Sequence, residues 1–70
     1  MKTIRTTDTL FATIIHRGVT IISARISGVA SISDIIKTLR QSIGQIAGLV
    51  TLRLRNATEG WTADKPLILA

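Results

Sequence analysis

Nine lysines and arginines stand against four acids in this 70-residue chain, giving a net charge of +5, and six of the nine are arginine. A guanidinium is a planar fork that matches a phosphate bidentately and stacks on flat rings. Arg53 and Arg55 are two residues apart, so a strand through them puts both on one face. Arg25 joins that face if its own strand pairs in the expected orientation. Trp61 and Lys65 follow soon after. Arg25, Arg53, Arg55, Trp61 and Lys65 therefore form the candidate ligand site. It is a basic sheet face with one stacking ring, suited to a nucleotide or a single nucleic-acid strand. Plainer roles stand beside this one. Alternating arginines also solvate a strand and protect an edge, and a lone tryptophan in a small domain commonly anchors a core or an interface.

Catalysis has little to build on. The acids Asp8, Asp34, Glu59 and Asp64 fall on separate segments, and no two make a carboxylate pair on one element. His16 is the single histidine and reads as a solvated turn residue. No serine has a glycine-flanked elbow, and there is no phosphate-binding glycine loop or metal-ligand cluster. The expectation is a non-enzyme with no catalytic residue, no metal and no cofactor. Asn56-Ala57-Thr58 matches a glycosylation sequon, which has no meaning without secretion.

A single domain over 1–70 buries only ~60% of the surface its unfolded chain exposes. Domains this small usually add a disulfide, a metal or a partner. Cysteine is absent, yet twelve residues are isoleucine and the mean hydropathy is +0.41. Surplus apolar surface points to self-association, as a homodimer or higher oligomer. The longest uncharged run, Gln41 to Leu52, is far short of the ~20 residues a membrane-spanning helix needs. The opening residues do not form a signal peptide, so the expected setting is the cytoplasm, without a membrane partner.

The positioning elements follow from periodicity and punctuation. Residues 1–7 are basic and threonine-rich, a flexible arm or an edge extension. Asp8–His16 and Val19–Ser27 read as strands joined by Arg17-Gly18, a two-residue loop of the primed hairpin type. Ser31 and Asp34 have capping-box spacing. Ile32, Ile35, Ile36, Leu39, Ile43 and Ile46 then mark one face of a helix over 31–47, with Gly48 beyond its end and Gln45 on the polar side. Asp34 and Lys37 form a weak i,i+3 pair there. Leu49–Asn56 alternates strictly, and residues 61–70 are an extended tail or edge strand in which Pro66 fits only at an edge or a strand start. The class is α+β: a small antiparallel sheet in β-β-α-β(-β) order, with one amphipathic helix on one face, completed by homo-oligomerisation.

A two-residue loop pairs His16 with Val19, Ile14 with Ile21, Ala12 with Ser23 and Leu10 with Arg25. The helix is then assigned to the face carrying Phe11, Ile15, Ile22, Ile26, Val50, Leu52 and Leu54. Leu10, Ile14, Val19 and Ile21 remain on a half-apolar face, the expected oligomer interface. A one-residue slip would exchange the two faces. Two functions compete. The first is a homo-oligomeric module that holds a phosphate-bearing ligand, nucleotide or nucleic acid, and sequesters it without turnover. The second is a structural or protein-interaction module whose apolar face binds another protein, its charge serving only solubility.

Overall fold

The computed structural model describes residues 3–44 and 46–69. Met1, Lys2, Gln45 and Ala70 lie outside the described residues, and with them the polar-side position expected for Gln45. The strands are β1 (Leu10–His16), β2 (Val19–Ile26), β3 (Gly48–Asn56) and β4 (Trp61–Leu69), with helix α1 (Ile32–Ile43) between β2 and β3. They form a four-stranded antiparallel sheet in the order β2-β1-β3-β4. Both β2 and β3 run antiparallel to β1, so they run parallel to each other, and α1 carries the chain across β1 from one to the other. This is the expected α+β class, with the tail residues 61–69 resolved into an edge strand.

The hairpin turns as its residues dictate. Arg17 and Gly18 both have positive φ, 53° and 77°, the requirement of a type I′ turn, and His16 pairs with Val19. One step further in, the register departs from the expected one. Ile15 pairs with Thr20, but Ile14 pairs with Ile22, leaving Ile21 as the extra residue of a β-bulge. Beyond the bulge Ala12 meets Ala24 and Leu10 meets Ile26. The correction is therefore to the faces. Leu10, Ala12 and Ile14 line up with Ile22, Ala24 and Ile26, and the helix covers that face rather than the one bearing Phe11 and Ile15. The expected pairs Ile14–Ile21, Ala12–Ser23 and Leu10–Arg25 do not form.

The core sits between this face and α1. Leu10, Ile14, Ile35 and Leu52 are fully buried, and Leu54, Val50, Leu39 and Ile43 nearly so. Burying each large side chain is worth ~1.5–3 kcal/mol. Ile35, Leu39 and Ile43 form one stripe at four-residue spacing, which is why α1 needs only a single apolar face. Ser31 caps the helix, its Oγ accepting from the Asp34 N–H at 3.2 Å, while the Asp34 carboxylate accepts from the Ala30 N–H at 3.3 Å. The expected Asp34–Lys37 pair does not form. The helix also stops earlier than the expected 47. Gly44 adopts φ 72° and ψ −131°, a conformation open only to glycine, and ends it after Ile43.

Residues 3–9 are tied to the sheet rather than forming a free arm. Ile4 is buried in the core cluster. Asp8, expected in β1, instead closes a turn in which its N–H donates to the Arg5 carbonyl at 2.9 Å and its carboxylate accepts from the Arg5 N–H at 3.1 Å. Asn56, fully buried at the end of β3, donates its Nδ2 to the same carboxylate at 2.8 Å. Its Oδ1 accepts from the Thr58 and Glu59 N–H groups at 3.0 and 2.9 Å, shaping the β3–β4 turn. The Thr9 N–H donates to Thr58 Oγ1, and the Ala57 N–H to the Thr9 carbonyl, each at 2.9 Å. The sequon asparagine is thus a structural group whose amide has no path to a sugar.

Removing one side of a buried hydrogen-bonded set leaves its partners unsatisfied, at ~1–3 kcal/mol per group and more for a charge. Asn56→Ala should therefore destabilise the fold by about 3 kcal/mol, measured by denaturant unfolding. An unchanged midpoint would show that the network contributes nothing.

Candidate functional site

With α1 on one side, the other side of the sheet is open. The bulge and the pairings arrange its side chains in rows across all four strands. The row farthest from the β1–β2 turn reads Arg25, Phe11, Arg55, Thr62 from β2 to β4. The next reads Ser23, Thr13, Arg53, Asp64, and the third Thr20, Ile15, Thr51, Pro66. Phe11 and Ile15 are half-buried but stand apart from the core cluster.

Each row has its own electrostatics. In the first, the Arg55 guanidinium lies 4.6 Å from the centre of the Phe11 ring, a cation–π contact. Arg25 is the cross-strand partner of Phe11 on β2 and is exposed. In the second, Thr13 Oγ1 and Ser23 Oγ share a hydrogen bond of 3.2 Å. Arg53 grips Asp64 with both prongs, Nε to Oδ1 at 3.0 Å and Nη2 to Oδ2 at 3.2 Å. That hydrogen bonding, against the opposing effect of desolvation and with the charge attraction, holds the Asp64 carboxyl below the usual carboxylate range, and raises the Arg53 guanidinium further. Both partners are about half exposed, so the pair orients side chains more than it stabilises the fold. Three guanidiniums and one carboxylate leave the face with a net +2.

The expected site residues divide between the two sides of the sheet. Arg25, Arg53 and Arg55 share the open face. Trp61 and Lys65 do not: Trp61 is 9% exposed within the core cluster on the helix side, and Lys65 lies on that side of edge strand β4, exposed. The stacking ring beside the arginines is Phe11, which the expected register placed beneath the helix. The signal that could have found it is the composition of β1 itself, where Leu10, Ala12 and Ile14 are uniformly apolar and Phe11, Thr13 and Ile15 are mixed. The expected interface is corrected as well. Leu10 and Ile14 are core residues with no exposed surface, Ile21 is the bulge residue packed against the core, and only Val19 stays open, at 60%. The other exposed large apolar residues, Leu49 and Ile68, pair across β3 and β4 at the same end of the sheet.

Two clefts lie away from the arginine rows. One, of about 450 Å³, opens at the hairpin end and is lined by Ile15, His16, Arg17 and the start of β3. The other, of about 160 Å³, lies among Thr3, Arg5, Glu59 and Trp61. Among the described residues no three His, Asp or Glu side chains gather as a metal site, and no helix is long and apolar enough to cross a membrane. The open face offers cationic forks, hydroxyls and a flat ring. It can bind an anion and stack a planar group.

The Asp64 carboxyl has a lowered protonation midpoint, so what its ion pair contributes is present above the usual carboxylate range and lost as pH falls through the lowered midpoint. In Arg53→Gln the midpoint of the Asp64 carboxyl carbon in an NMR titration should move up into the usual range. If it stays where it is in the parent protein, the bidentate pair is absent in solution.

No protein-family model matches the chain, and neither a curated protein nor a solved structure is similar to it.

Proposed function

We propose that this chain is a non-enzymatic, homo-oligomeric binding protein that holds single-stranded nucleic acid on its open sheet face. The observation that carries the proposal is the row Arg25–Phe11–Arg55, an aromatic residue with an arginine as its cross-strand partner on each side, one of them 4.6 Å from the ring centre. Arg55 lies on Phe11 and so offers a flat cation to a base, while Arg25 reaches for phosphate. Rows on one face of a strand repeat about every 7 Å, two residues at ~3.4 Å each. The second row then supplies Arg53 and two hydroxyls along the same path. The face is open along its length, which suits an extended strand better than a mononucleotide that needs walls. Four-stranded sheets that stack bases on aromatic side chains are a general solution for single strands.

Self-association belongs to the same proposal. A second copy laid on the arginine rows would set like charge against like charge, so contact between copies falls to the apolar end around Leu49 and Ile68, the latter 82% exposed. The cytoplasm remains the proposed setting, since a cysteine-free chain needs no oxidising compartment. The exposure of Leu49 and Ile68 also favours the second reading, a protein-interaction module with no nucleic-acid ligand.

Fluorescence anisotropy with a labelled single-stranded oligonucleotide separates the two readings. Affinity should fall steeply with salt, the log–log slope reporting the number of phosphates neutralised. Arg25→Glu with Arg55→Glu should weaken binding at least about a hundredfold while the unfolding midpoint stays close to the parent's. Phe11→Leu should cost about tenfold, the lower end of one base–aromatic stack. Full affinity in the double arginine variant removes the sheet face as the site. No binding at low salt, with a stable oligomer by sedimentation, establishes the interaction module instead.

A further inference from the structure

The cleft at the hairpin end continues the open face. It is lined by Ile15 and Thr51, which are also members of the row nearest the turn, and by His16 and Arg17. His16 and Arg17 are adjacent residues whose side chains carry nitrogen donors. The backbone beneath Arg17 is unusual. Its φ of 53° makes it the only non-glycine with positive φ among the described residues. Type I′ turns favour Asn, Asp or Gly at this position, and an arginine there is held in a conformation it disfavours. The turn alone gives no reason for this side chain, and locally unfavourable backbone concentrates at functional sites. Arg17 also has no ion-pair partner among the described residues.

We infer that the hairpin-end cleft, with Arg17 and His16 in its lining, is a subsite for the terminal phosphate monoester of a strand lying along the open face. The inference rests on the nucleic-acid reading given above. Along β1 the path from Phe11 to Ile15 covers four residues, ~14 Å at ~3.4 Å each, and then meets the cleft. A phosphodiester inside the strand carries one negative charge and is served by single arginines along the rows. A terminal monoester carries between about 1.5 and 2 negative charges near neutral pH and three acceptor oxygens. A guanidinium fork with an imidazole beside it matches that larger charge, and the cleft of about 450 Å³ has room for it. Ile15 supplies an apolar surface against which the last sugar or base rests. The two ends of a strand share this phosphate chemistry, so the test uses both.

The experiment compares three versions of one short single-stranded oligonucleotide: unphosphorylated, 5′-phosphorylated and 3′-phosphorylated. Each is titrated against the parent protein, Arg17→Asn and His16→Gln. One of the phosphorylated forms should bind the parent about tenfold more tightly than the unphosphorylated form, the effect of one added charge-assisted pair. Arg17→Asn should abolish that preference, while the unphosphorylated form loses no more than the modest share of one neighbouring charge. This substitution installs Asn-Gly, the favoured type I′ pair, so the unfolding midpoint should hold or rise and misfolding cannot mimic the loss. His16→Gln should reduce the preference in part. Backbone amide shifts that differ between the phosphorylated and unphosphorylated complexes should cluster at 16–18 and 47–51. Equal affinity for all three oligonucleotides overturns the subsite and leaves the sheet reading standing. A preference that survives Arg17→Asn also overturns it, and failure of every oligonucleotide to bind overturns both.

Discussion

One extra residue in β2 decides how the whole chain is arranged. Without the bulge at Ile21, strict alternation from the type I′ turn would put Arg25 and Ser23 on the same side as Leu10, Ala12 and Ile14. Each face of the hairpin would then be part apolar and part polar, and no helix position could bury one without burying a guanidinium or stranding several isoleucines. The bulge shifts β2 by one position relative to β1, so Ile22, Ala24 and Ile26 join the apolar side of β1 while Ser23 and Arg25 leave it. One side becomes wholly apolar and receives α1. The other gathers Phe11, Thr13, Ser23 and Arg25. The same event that completes the core therefore also assembles the basic face, and the two cannot be separated.

The β2 bulge and Pro66 have a second effect, at the edges. β2 and β4 are the outer strands of the sheet and would otherwise offer unpaired backbone to other chains. The bulge twists β2 locally, and Pro66 removes a donor from β4. Growth of the sheet by strand addition is disfavoured at both sides. What remains open is a face and an end, which is why surface chemistry, rather than edge pairing, governs what this domain can hold. At the far end, the Asp8–Asn56 hydrogen bond ties residues 3–9 to the β3–β4 turn and keeps Ile4 against the core. A chain of this size has few core residues, so fixing residues 3–9 against the β3–β4 turn, with Asp8 and Asn56 forty-eight positions apart, helps close the apolar layer that α1 alone leaves uncovered.

The elements were legible because their signals are local. Arg17-Gly18 set the turn, Ser31 and Asp34 set the start of α1, and the alternation from Leu49 to Asn56 gave β3 to within one residue. The end of α1 was misjudged because two glycines, Gly44 and Gly48, both qualify as stops, and the apolar Ile46 extends the helical pattern past the first. Arg53 and Arg55 could be grouped from spacing alone and Arg25 only through an assumed strand pairing, and the paired strands do bring all three to one face. Trp61 falls on the helix side because it pairs with Asn56 across the β3–β4 turn, whereas the place of Phe11 turns on the bulge in β2. A bulge adds one residue to a strand without any composition of its own, and every assignment of a face downstream of it reverses. Nothing in the period-two pattern of β2 marks Ile21 over Thr20 or Ile22. The mark lies in the partner strand, since only one register lets Leu10, Ala12 and Ile14 all stay dry. The links between Asp8, Asn56 and Thr58 were equally hidden, because they join residues some fifty positions apart that carry no pattern beyond their polarity.

Charge accounting within the fold gives the basic face its meaning. A surplus of arginine is commonplace on small domains and often vanishes into surface ion pairs. Here the acids are largely committed elsewhere. Asp8 is buried with Asn56, Asp34 serves the start of α1, and Asp64 alone meets an arginine, Arg53. Arg25 therefore has no carboxylate to neutralise it among the described residues, and the contact of Arg55 is with a ring that leaves its charge intact. Merely solvated arginines need no aromatic between them and gain nothing from lying in a row across three strands. On the proposed reading, a polyanion with flat bases would replace the water above this row, and counterion release and stacking would then act on the same few side chains. On that proposed reading Asp64 would temper this by holding Arg53 back: phosphate would reach that guanidinium only by displacing a carboxylate already in place, so the middle row would add less affinity than its charge suggests and the outer row would carry the face.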